Sequence, residues 1–306
     1  MPALLVVIAA VCFGTTGTAL SFAPETTSPA SAGAVRILLG GLLLAIIVFV
    51  RPASRRGFPT RPVGRRRVPT VVLVLGGALA IIAYQPAFFL GTTRAGVAVG
   101  TIVALGSAPV FTGALEWVVT RRFPGRVWFV ATLVAGAGVA LLGGALDGGT
   151  RNVDGVGIAG SLAAGASYAV YALVAKLLIA RGAESTWTMG ALFGTAAVLS
   201  IPLALATDLS WIGTPDGLLA AAWLGVVATA VAYVLFGRGL VGLRASTAAT
   251  LTLAEPLTAA LLGTLVLGES LGASAVAGVA VVAAAILVLV VPWRRIPTRG
   301  AQRSAP

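Results

Sequence analysis

The sequence predicts an all-α membrane protein with ten transmembrane helices, arranged as two inverted repeats of five. Three observations lead there: ten apolar segments of membrane-spanning length, a one-sided distribution of basic residues, and a similarity between the two halves of the chain. The chain has 306 residues, is 58% hydrophobic and has a mean hydropathy of +1.02. Soluble domains are about 45–50% apolar, so the composition argues against a soluble fold.

Ten apolar segments are each long enough to cross the membrane, because a helix needs roughly 20 residues to span about 30 Å of hydrocarbon. The loops between them leave no room for a separate soluble domain. The first segment lacks a basic flank and a small-residue cleavage site, so we expect a retained helix. The segments are Pro2–Leu20, Ala32–Val50, Pro69–Leu90, Val97–Val119, Val127–Leu146, Val156–Ile179, Ser185–Ala206, Gly217–Gly237, Ala245–Leu267 and Ala273–Val291.

Basic residues are concentrated on one side of the predicted membrane. With the N-terminus inside, the outer loops hold only Arg94 and Arg151, and Arg36 lies within a span. Short cytoplasmic loops retain arginine and lysine, so the bias predicts a multi-pass protein of the inner (cytoplasmic) membrane with both termini in the cytoplasm. The inner set is Arg51, Arg55, Arg56, Arg61, Arg65, Arg66, Arg67, Arg121, Arg122, Arg126, Lys176, Arg181, Arg238, Arg244, Arg294, Arg295, Arg299 and Arg303.

The net charge of +12 does not indicate a nucleic-acid partner. The arginines lie in short loops beside the membrane, where they orient the chain and contact anionic lipid headgroups. The loop Arg51–Arg67 is predicted to be solvated, and a specific grip on anionic lipid is the alternative. The oligomeric state is left open by the sequence, and a monomer is compatible with it.

The two halves of the chain resemble each other. GTIVALGSAPVFTGALEWVV (Gly100–Val119) aligns with ATLTLAEPLTAALLGTLVL (Ala249–Leu267), which matches Pro109 with Pro256. Each half holds five predicted helices, and because five is odd the second half enters the membrane from the other side. Inverted repeats are typical of secondary transporters, whose substrate site lies near the midplane between the repeats.

The repeat defines the predicted domain organisation. We expect a first five-helix repeat over residues 1–146, an external linker over 147–155, a second repeat over 156–292 and a basic cytoplasmic tail over 293–306.

Five short motifs carry a further resemblance. They are Cys12-Phe13-Gly14-Thr15-Thr16, the lone Arg36 of the second span, Leu105-Gly106-Ser107-Ala108-Pro109, Leu253-Ala254-Glu255-Pro256 and Leu267-Gly268-Glu269-Ser270-Leu271. Together they resemble the drug/metabolite transporter superfamily, specifically the EamA-type exporters with two five-helix repeats. That family commonly has Gly-Glu-Arg after the fourth helix, where this chain has Thr120-Arg121-Arg122. The resemblance implies an exporter of amino acids, nucleobases or other metabolites and does not select among them.

Apart from Lys176 at the inner end of the sixth segment, three ionisable residues fall within the predicted spans, where a charge is costly and usually functional. Arg36 is near the outer end of its span, and its side chain reaches either the interface or a cavity. Glu116 is expected at the interface, at the inner end of the fourth span. Glu255 lies near the midplane and must be protonated or paired, because an isolated buried charge costs several kcal/mol. We expect it to carry a proton during transport, and a neutral structural role is the alternative.

Prolines at matching positions of the repeats also point to a site. Pro109 and Pro256 each lack a backbone N–H, so each is predicted to kink its helix and free a carbonyl beside a cavity. Hydroxyl, amide and aromatic side chains around a cavity suit a small polar or zwitterionic metabolite, although each alone is more often a packing residue. The predicted transport path is Thr15, Thr16, Tyr84, Gln85, Ser107, Pro109, Tyr168, Tyr171, Tyr233, Thr252, Glu255 and Pro256, with Arg36 as a candidate charge partner.

The sequence argues against an enzyme or a primary pump. It has no histidine, one cysteine and no nucleotide-binding loop, so we expect no catalytic residue, metal or cofactor. The predicted function is a secondary transporter that moves small metabolites, amino acids or related amphipathic compounds, by alternating access and as an exporter. The alternatives are a channel-like permease and a lipid-processing membrane enzyme.

Overall fold

The computed structural model describes residues 1–51, 68–144 and 154–291, and these residues form ten helices. Most of the predicted basic loop and linker, and the tail over 293–306, lie outside the described residues. The helices are α1 (Pro2–Ser21), α2 (Pro29–Val50), α3 (Thr70–Ala95), α4 (Val97–Thr120), α5 (Arg126–Leu142), α6 (Gly155–Ala180), α7 (Ser185–Leu205), α8 (Pro215–Gly242), α9 (Ala245–Leu267) and α10 (Ala273–Val290).

Nine of these helices are apolar and long enough to cross a membrane. The exception among the described helices is α5, which has 17 residues and ends before the predicted Val127–Leu146 segment does. Four of the helices, α2, α6, α7 and α8, start where the N-cap side chain accepts a hydrogen bond from a free backbone N–H. Asp154 accepts a hydrogen bond from Val156 N at 3.0 Å, and Glu184 accepts one from Trp187 N at 2.7 Å.

Successive helices run in opposite directions, so the loops between them lie alternately on two faces of the bundle. The start of α1 and the end of α10 lie on one face with Arg51, Arg121, Arg181 and Arg244, and we call it the basic face. The loops over 22–28, 206–214 and 268–272 lie on the other, here called the opposite face.

The helices pack in interfaces that the repeat relates to one another. Exchange of α1–α5 with α6–α10 converts the α3–α6 interface into α8–α1 and the α4–α6 interface into α9–α1, and all four are present. The α2–α7 and α5–α10 interfaces map onto themselves and are also present. Every one of these interfaces joins the two halves, so the packing confirms an all-α fold of two related five-helix units.

Two helices of the second half are irregular at mid-depth. In α8, a π-helical turn covers Val226–Val231. In α9, the helix is interrupted at Thr252 and Leu253, just before Pro256. Because Pro256 has no N–H to donate, the Thr252 carbonyl instead accepts a hydrogen bond from Glu255 N at 2.9 Å. The irregular backbone of both helices therefore lies at the depth where a site was predicted.

Candidate functional site

A large cavity runs from the opposite face to the middle of the helix bundle. Its volume is about 640 Å³, and a smaller cavity of about 70 Å³ lies at its base. The rim is formed by helix ends at the opposite face, including Leu20, Pro29, Val97 and Leu271. The two cavities share walls, so they form one continuous region for a ligand. The shared residues are Phe13, Arg36, Tyr84, Gln85, Leu105 and Glu255.

Most of the predicted path residues converge on this region. They come from both halves of the chain, which agrees with a site between the repeats. The smaller cavity is lined by Arg36, Tyr84, Gln85, Tyr168, Tyr171, Tyr233, Thr252 and Glu255. Thr16 and Pro256 line the larger cavity. The Thr16 hydroxyl is buried and has no hydrogen-bond partner, so it is available to a ligand.

Arg36 is attached to the irregular turn of α8. Its Nε donates to Thr229 Oγ1 at 3.1 Å, and its Nη2 donates to the Ala228 carbonyl at 3.2 Å. The guanidinium carbon lies 5.9 Å from the ring centroid of Phe13, a cation–π contact. The structure thus places Arg36 at the cavity wall and not at the membrane interface.

Glu255 faces Arg36 across the same cavity without an ion pair. In the described residues, the ion pair within 4.0 Å is that of Arg94 with Asp154, at 3.4 Å and near the opposite face. Glu255 lies in the first turn of the second segment of α9 and lines both cavities. At mid-depth the site therefore presents the cationic Arg36 and the acidic Glu255, each with capacity for a further partner, and a second acidic residue, Glu269, lines the larger cavity at the opposite face.

An aromatic layer closes the cavity toward the basic face. The Tyr233 ring lies 3.8 Å from Phe193 and 4.9 Å from Phe13, measured between centroids, and the Tyr168 and Tyr171 rings are 5.0 Å apart. The layer joins α1, α6, α7 and α8, so it contains rings from both halves. Aromatic contacts of this kind add to the stability of apolar burial.

Phe13, Phe193 and Thr229 are among the cavity residues that sequence reasoning missed. For two of these residues, the sequence contains a feature that could have identified them. Phe13 lies inside the Cys12–Thr16 motif, and Thr229 precedes Tyr233 by four residues, which places both on one helix face. Phe193 lies in an apolar segment, and no sequence feature distinguishes it from its neighbours.

The structure places three predicted path residues away from both cavities. The Thr15 hydroxyl donates to the Cys12 carbonyl at 2.7 Å and accepts from Trp223 Nε1 at 2.9 Å, toward a groove between α1 and α8. Ser107 donates to the Ala104 carbonyl at 3.2 Å and packs against α6. Pro109 is buried in α4, a helix without interruption. Hydroxyls at mid-depth satisfy their own helix backbone unless packing directs them to a cavity.

Glu116 is buried and not exposed at the interface. Its side chain is 6% exposed, and Oε2 accepts a hydrogen bond from Ser246 N at 3.0 Å. It therefore caps the start of α9 from the end of α4. The expectation of an interfacial position missed this contact, because the partner is 130 residues away in sequence.

Comparison with known proteins agrees with the fold. The sequence profile of the EamA-like transporter family matches residues 1–144 and 155–291. The uncharacterized transporter YwfM of Bacillus subtilis is 40% identical over 286 residues, which cover 94% of this chain and 92% of that protein. An uncharacterized transporter of Archaeoglobus fulgidus is 35% identical over 143 residues, 45% of this chain and 48% of that protein.

A solved crystal structure has the same fold. It superposes with a TM-score of 0.77 at 19% sequence identity and covers 94% of this chain and 96% of its own. The fold, the two profile matches and the near full-length similarity to YwfM agree with one another. The chain therefore belongs to the EamA-like transporter family.

Proposed function

We propose that the protein is a secondary transporter that works by alternating access, here in a state open to the opposite face. The observation that carries the proposal is a mainly apolar cavity with polar side chains at its base, built from both halves, that opens on one face and ends at an aromatic layer. A carrier exposes its site to one side at a time, whereas a channel-like permease needs a continuous path. The closed basic face favours the carrier.

The proposed direction of transport is export, supported by the family resemblance, and the proposed orientation is supported by the arginine distribution. Basic residues are retained on the cytoplasmic side, which supports a cytoplasmic basic face in the inner membrane. The cavity of this state would then open outward. An exporter would load its substrate from the cytoplasm in the other state and release it from this one.

The charges in the cavity favour a small zwitterionic or amphipathic substrate, such as an amino acid. Arg36 offers N–H donors for a carboxylate, and Glu255 offers oxygens for an ammonium group. The volume of about 640 Å³ accommodates such a molecule, since small-molecule sites are roughly 300–1,000 Å³. The aromatic layer would receive its apolar part.

The energy source is proposed to be the solute gradient or protons, with Glu255 as the proton carrier. A carboxyl group that lines a cavity at mid-depth can exchange a proton with water when the cavity opens to either side. The alternative function is that of a lipid-processing membrane enzyme. Both similar proteins are named as transporters, which favours transport over this alternative.

Counterflow in proteoliposomes tests this function. Vesicles loaded with an unlabelled amino acid should accumulate the same labelled amino acid transiently, and nucleobases and hydrophobic cations form the rest of the panel. Arg36→Met should weaken the apparent affinity for a zwitterion by about tenfold or more, because hydrogen bonds to a charged group contribute about 1.5–3 kcal/mol. Uptake that is linear in concentration and insensitive to the internal solute would contradict the carrier and favour the channel.

A further inference from the structure

In the described residues, five helix interfaces lack repeat-related counterparts: α1–α10, α6–α7 and three near the basic face that join α8 or α9 to α5 or α6. Helix α6 packs on α8 and on α9, and α5 packs on α9. Exchange of the halves would produce α1–α3, α1–α4 and α10–α4 interfaces, and the described residues form no comparable packing between those pairs. The large cavity lies between α1, α3 and α4, lined by Thr16, Phe88 and Ile102 among others. The three interfaces near the basic face therefore belong to this one state and not to the fold as such.

The α6–α8 interface carries a charged hydrogen bond. Lys176 Nζ donates to the Leu240 carbonyl at 2.8 Å and to the Val241 carbonyl at 3.2 Å. These carbonyls belong to the last turn of α8, where they have no partner within the helix. A cation is also favoured at the negative end of the helix dipole. Lys176 thus holds the end of α8 against α6.

The α5–α9 and α6–α9 interfaces carry hydroxyl pairs. Thr132 Oγ1 and Thr250 Oγ1 are 2.8 Å apart and buried, and Thr250 donates to the Ser246 carbonyl, so Thr132 is the donor of the pair. Tyr168 Oη lies 3.0 Å from Thr252 Oγ1, which in turn donates to its own helix. The first pair lies about one turn inside the start of α9, and the second lies at the cavity base.

Glu116 adds a contact beside the α8–α9 turn. The start of α9 has no side-chain cap from its own segment, and the Ser246 N–H is satisfied by Glu116 Oε2 of α4 instead. Lys176 and Glu116 therefore bind the two helix ends on either side of the turn at 243–244. Separation of α8 and α9 from α4, α5 and α6 requires all of these contacts to break.

We infer that Lys176, Glu116, the Thr132–Thr250 pair and the Tyr168–Thr252 pair form the gate of the basic face, made in this state and broken when the cavity opens to that face. The inference rests on the proposed alternating-access function. Groups buried in a membrane protein need partners, and water entering from the opened face would supply them. The hydrogen bonds of Lys176, the Thr132–Thr250 pair and the Tyr168–Thr252 pair cross the α6–α8, α5–α9 and α6–α9 interfaces, respectively.

Side-specific labelling of a cavity cysteine tests the gate without reference to a substrate. In a Cys12→Ala background, Leu105→Cys provides a reporter in the wall of both cavities. A membrane-impermeant maleimide is added to right-side-out or inverted vesicles, and Glu25→Cys on the exposed opposite-face loop reports orientation. We expect labelling of the reporter from the opposite face.

Lys176→Met and Thr132→Val should each increase labelling of the reporter cysteine from the basic face. We expect the labelling rate from that face to rise by about tenfold in Lys176→Met, and by less in Thr132→Val, which removes a hydrogen bond between uncharged groups. Thr264→Val is the matched control, because the Thr264 hydroxyl donates only within α9, to the Ala260 carbonyl at 3.1 Å. Unchanged labelling ratios in folded, monodisperse Lys176→Met and Thr132→Val would overturn the gate and leave the carrier function intact. Labelling of the unmodified reporter from both faces at once would overturn the carrier function itself.

A disulfide lock gives an independent test. Oxidised Thr132→Cys/Thr250→Cys should stop counterflow, and reduction should restore it. The control pair, Ala45→Cys/Gly194→Cys, joins α2 to α7, an interface that the repeat maps onto itself, at a Cβ separation of 3.1 Å. It should transport in both redox states. Full counterflow with the Thr132–Thr250 disulfide formed would overturn the gate.

Discussion

Helices α4 and α9 occupy the same place in the two repeats and differ at the same proline. Both have a proline at mid-depth, yet α4 is uninterrupted and Pro109 is buried, whereas α9 is interrupted and Pro256 lines the cavity. The residue before the proline is Ala108 in α4 and Glu255 in α9. The proline by itself therefore does not break the helix.

The difference shows how a symmetric scaffold carries an asymmetric site. The main interfaces between the halves follow the repeat, while both acidic side chains of the cavity come from the second half and the cation comes from the first. The repeat thus provides two equivalent frames, and acidic residues on one of them make the cavity asymmetric. We expect changes in α9 to affect transport more than the same changes in α4.

The largest expected effect is that of Glu255→Gln, which makes α9 resemble α4 by removing its acidic group. Glutamine keeps the shape of the protonated carboxyl but cannot release a proton. In proteoliposomes, counterflow should persist while the response to an imposed pH gradient is lost.

The control is Glu25→Gln, which removes a carboxylate from the exposed opposite-face loop and should respond as the unmodified protein does. A Glu255→Gln variant with a full response to the gradient would show that this residue carries no proton.

The proline pair tests the backbone difference directly. Pro256→Ala restores an N–H that can donate to the Thr252 carbonyl, and because an interior proline disfavours a helix by about 3 kcal/mol, the change favours a continuous α9. Counterflow should fall by about tenfold, the effect of roughly 1.4 kcal/mol on a barrier. Pro109→Ala should change it by less than about twofold, since α4 is already helical there. Equal losses in both variants would remove the distinction between the two helices.

The smallest effect concerns two repeat-related glycines where helices approach closely. A Cβ at Gly14 would lie 2.6 Å from both the Glu255 carbonyl and Thr258 Cβ, while one at Gly165 would meet the Ser107 hydroxyl and lie 2.9 Å from the Ala104 carbonyl. Overpacking typically costs about 1–3 kcal/mol. Gly14→Ala should lower the Tm by several degrees and Gly165→Ala by less, because the added methyl group at Gly165 lies further from the neighbouring backbone carbonyl and the Ser107 hydroxyl can rotate away.

Gly17→Ala is the control for this pair, since a Cβ there meets nothing within 4 Å. Its Tm should stay the same or rise slightly, because alanine is the better helix former. A larger decrease in Tm for Gly165→Ala than for Gly14→Ala would contradict the expected order, in which the α1–α9 interface tolerates a methyl group less well than the α4–α6 interface.

The membrane class, the helix number and the repeat could be read from the sequence, because each depends on local composition. Apolar length, arginine placement and the Pro109–Pro256 match need no knowledge of packing. The same is true of Glu255, which stands out because an acidic residue at the membrane centre is rare.

Only the tertiary structure decided which polar side chains share the cavity. Thr15 and Thr16 are neighbours in sequence, yet successive residues of a helix point about 100° apart, so one bonds Trp223 and the other faces the cavity. The partners of Glu116 and Arg36 lie 130 and 193 residues away, at distances that no local pattern encodes. Local chemistry determined the helices and their insertion, while the direction of each side chain and the face that is open depended on how the ten helices pack.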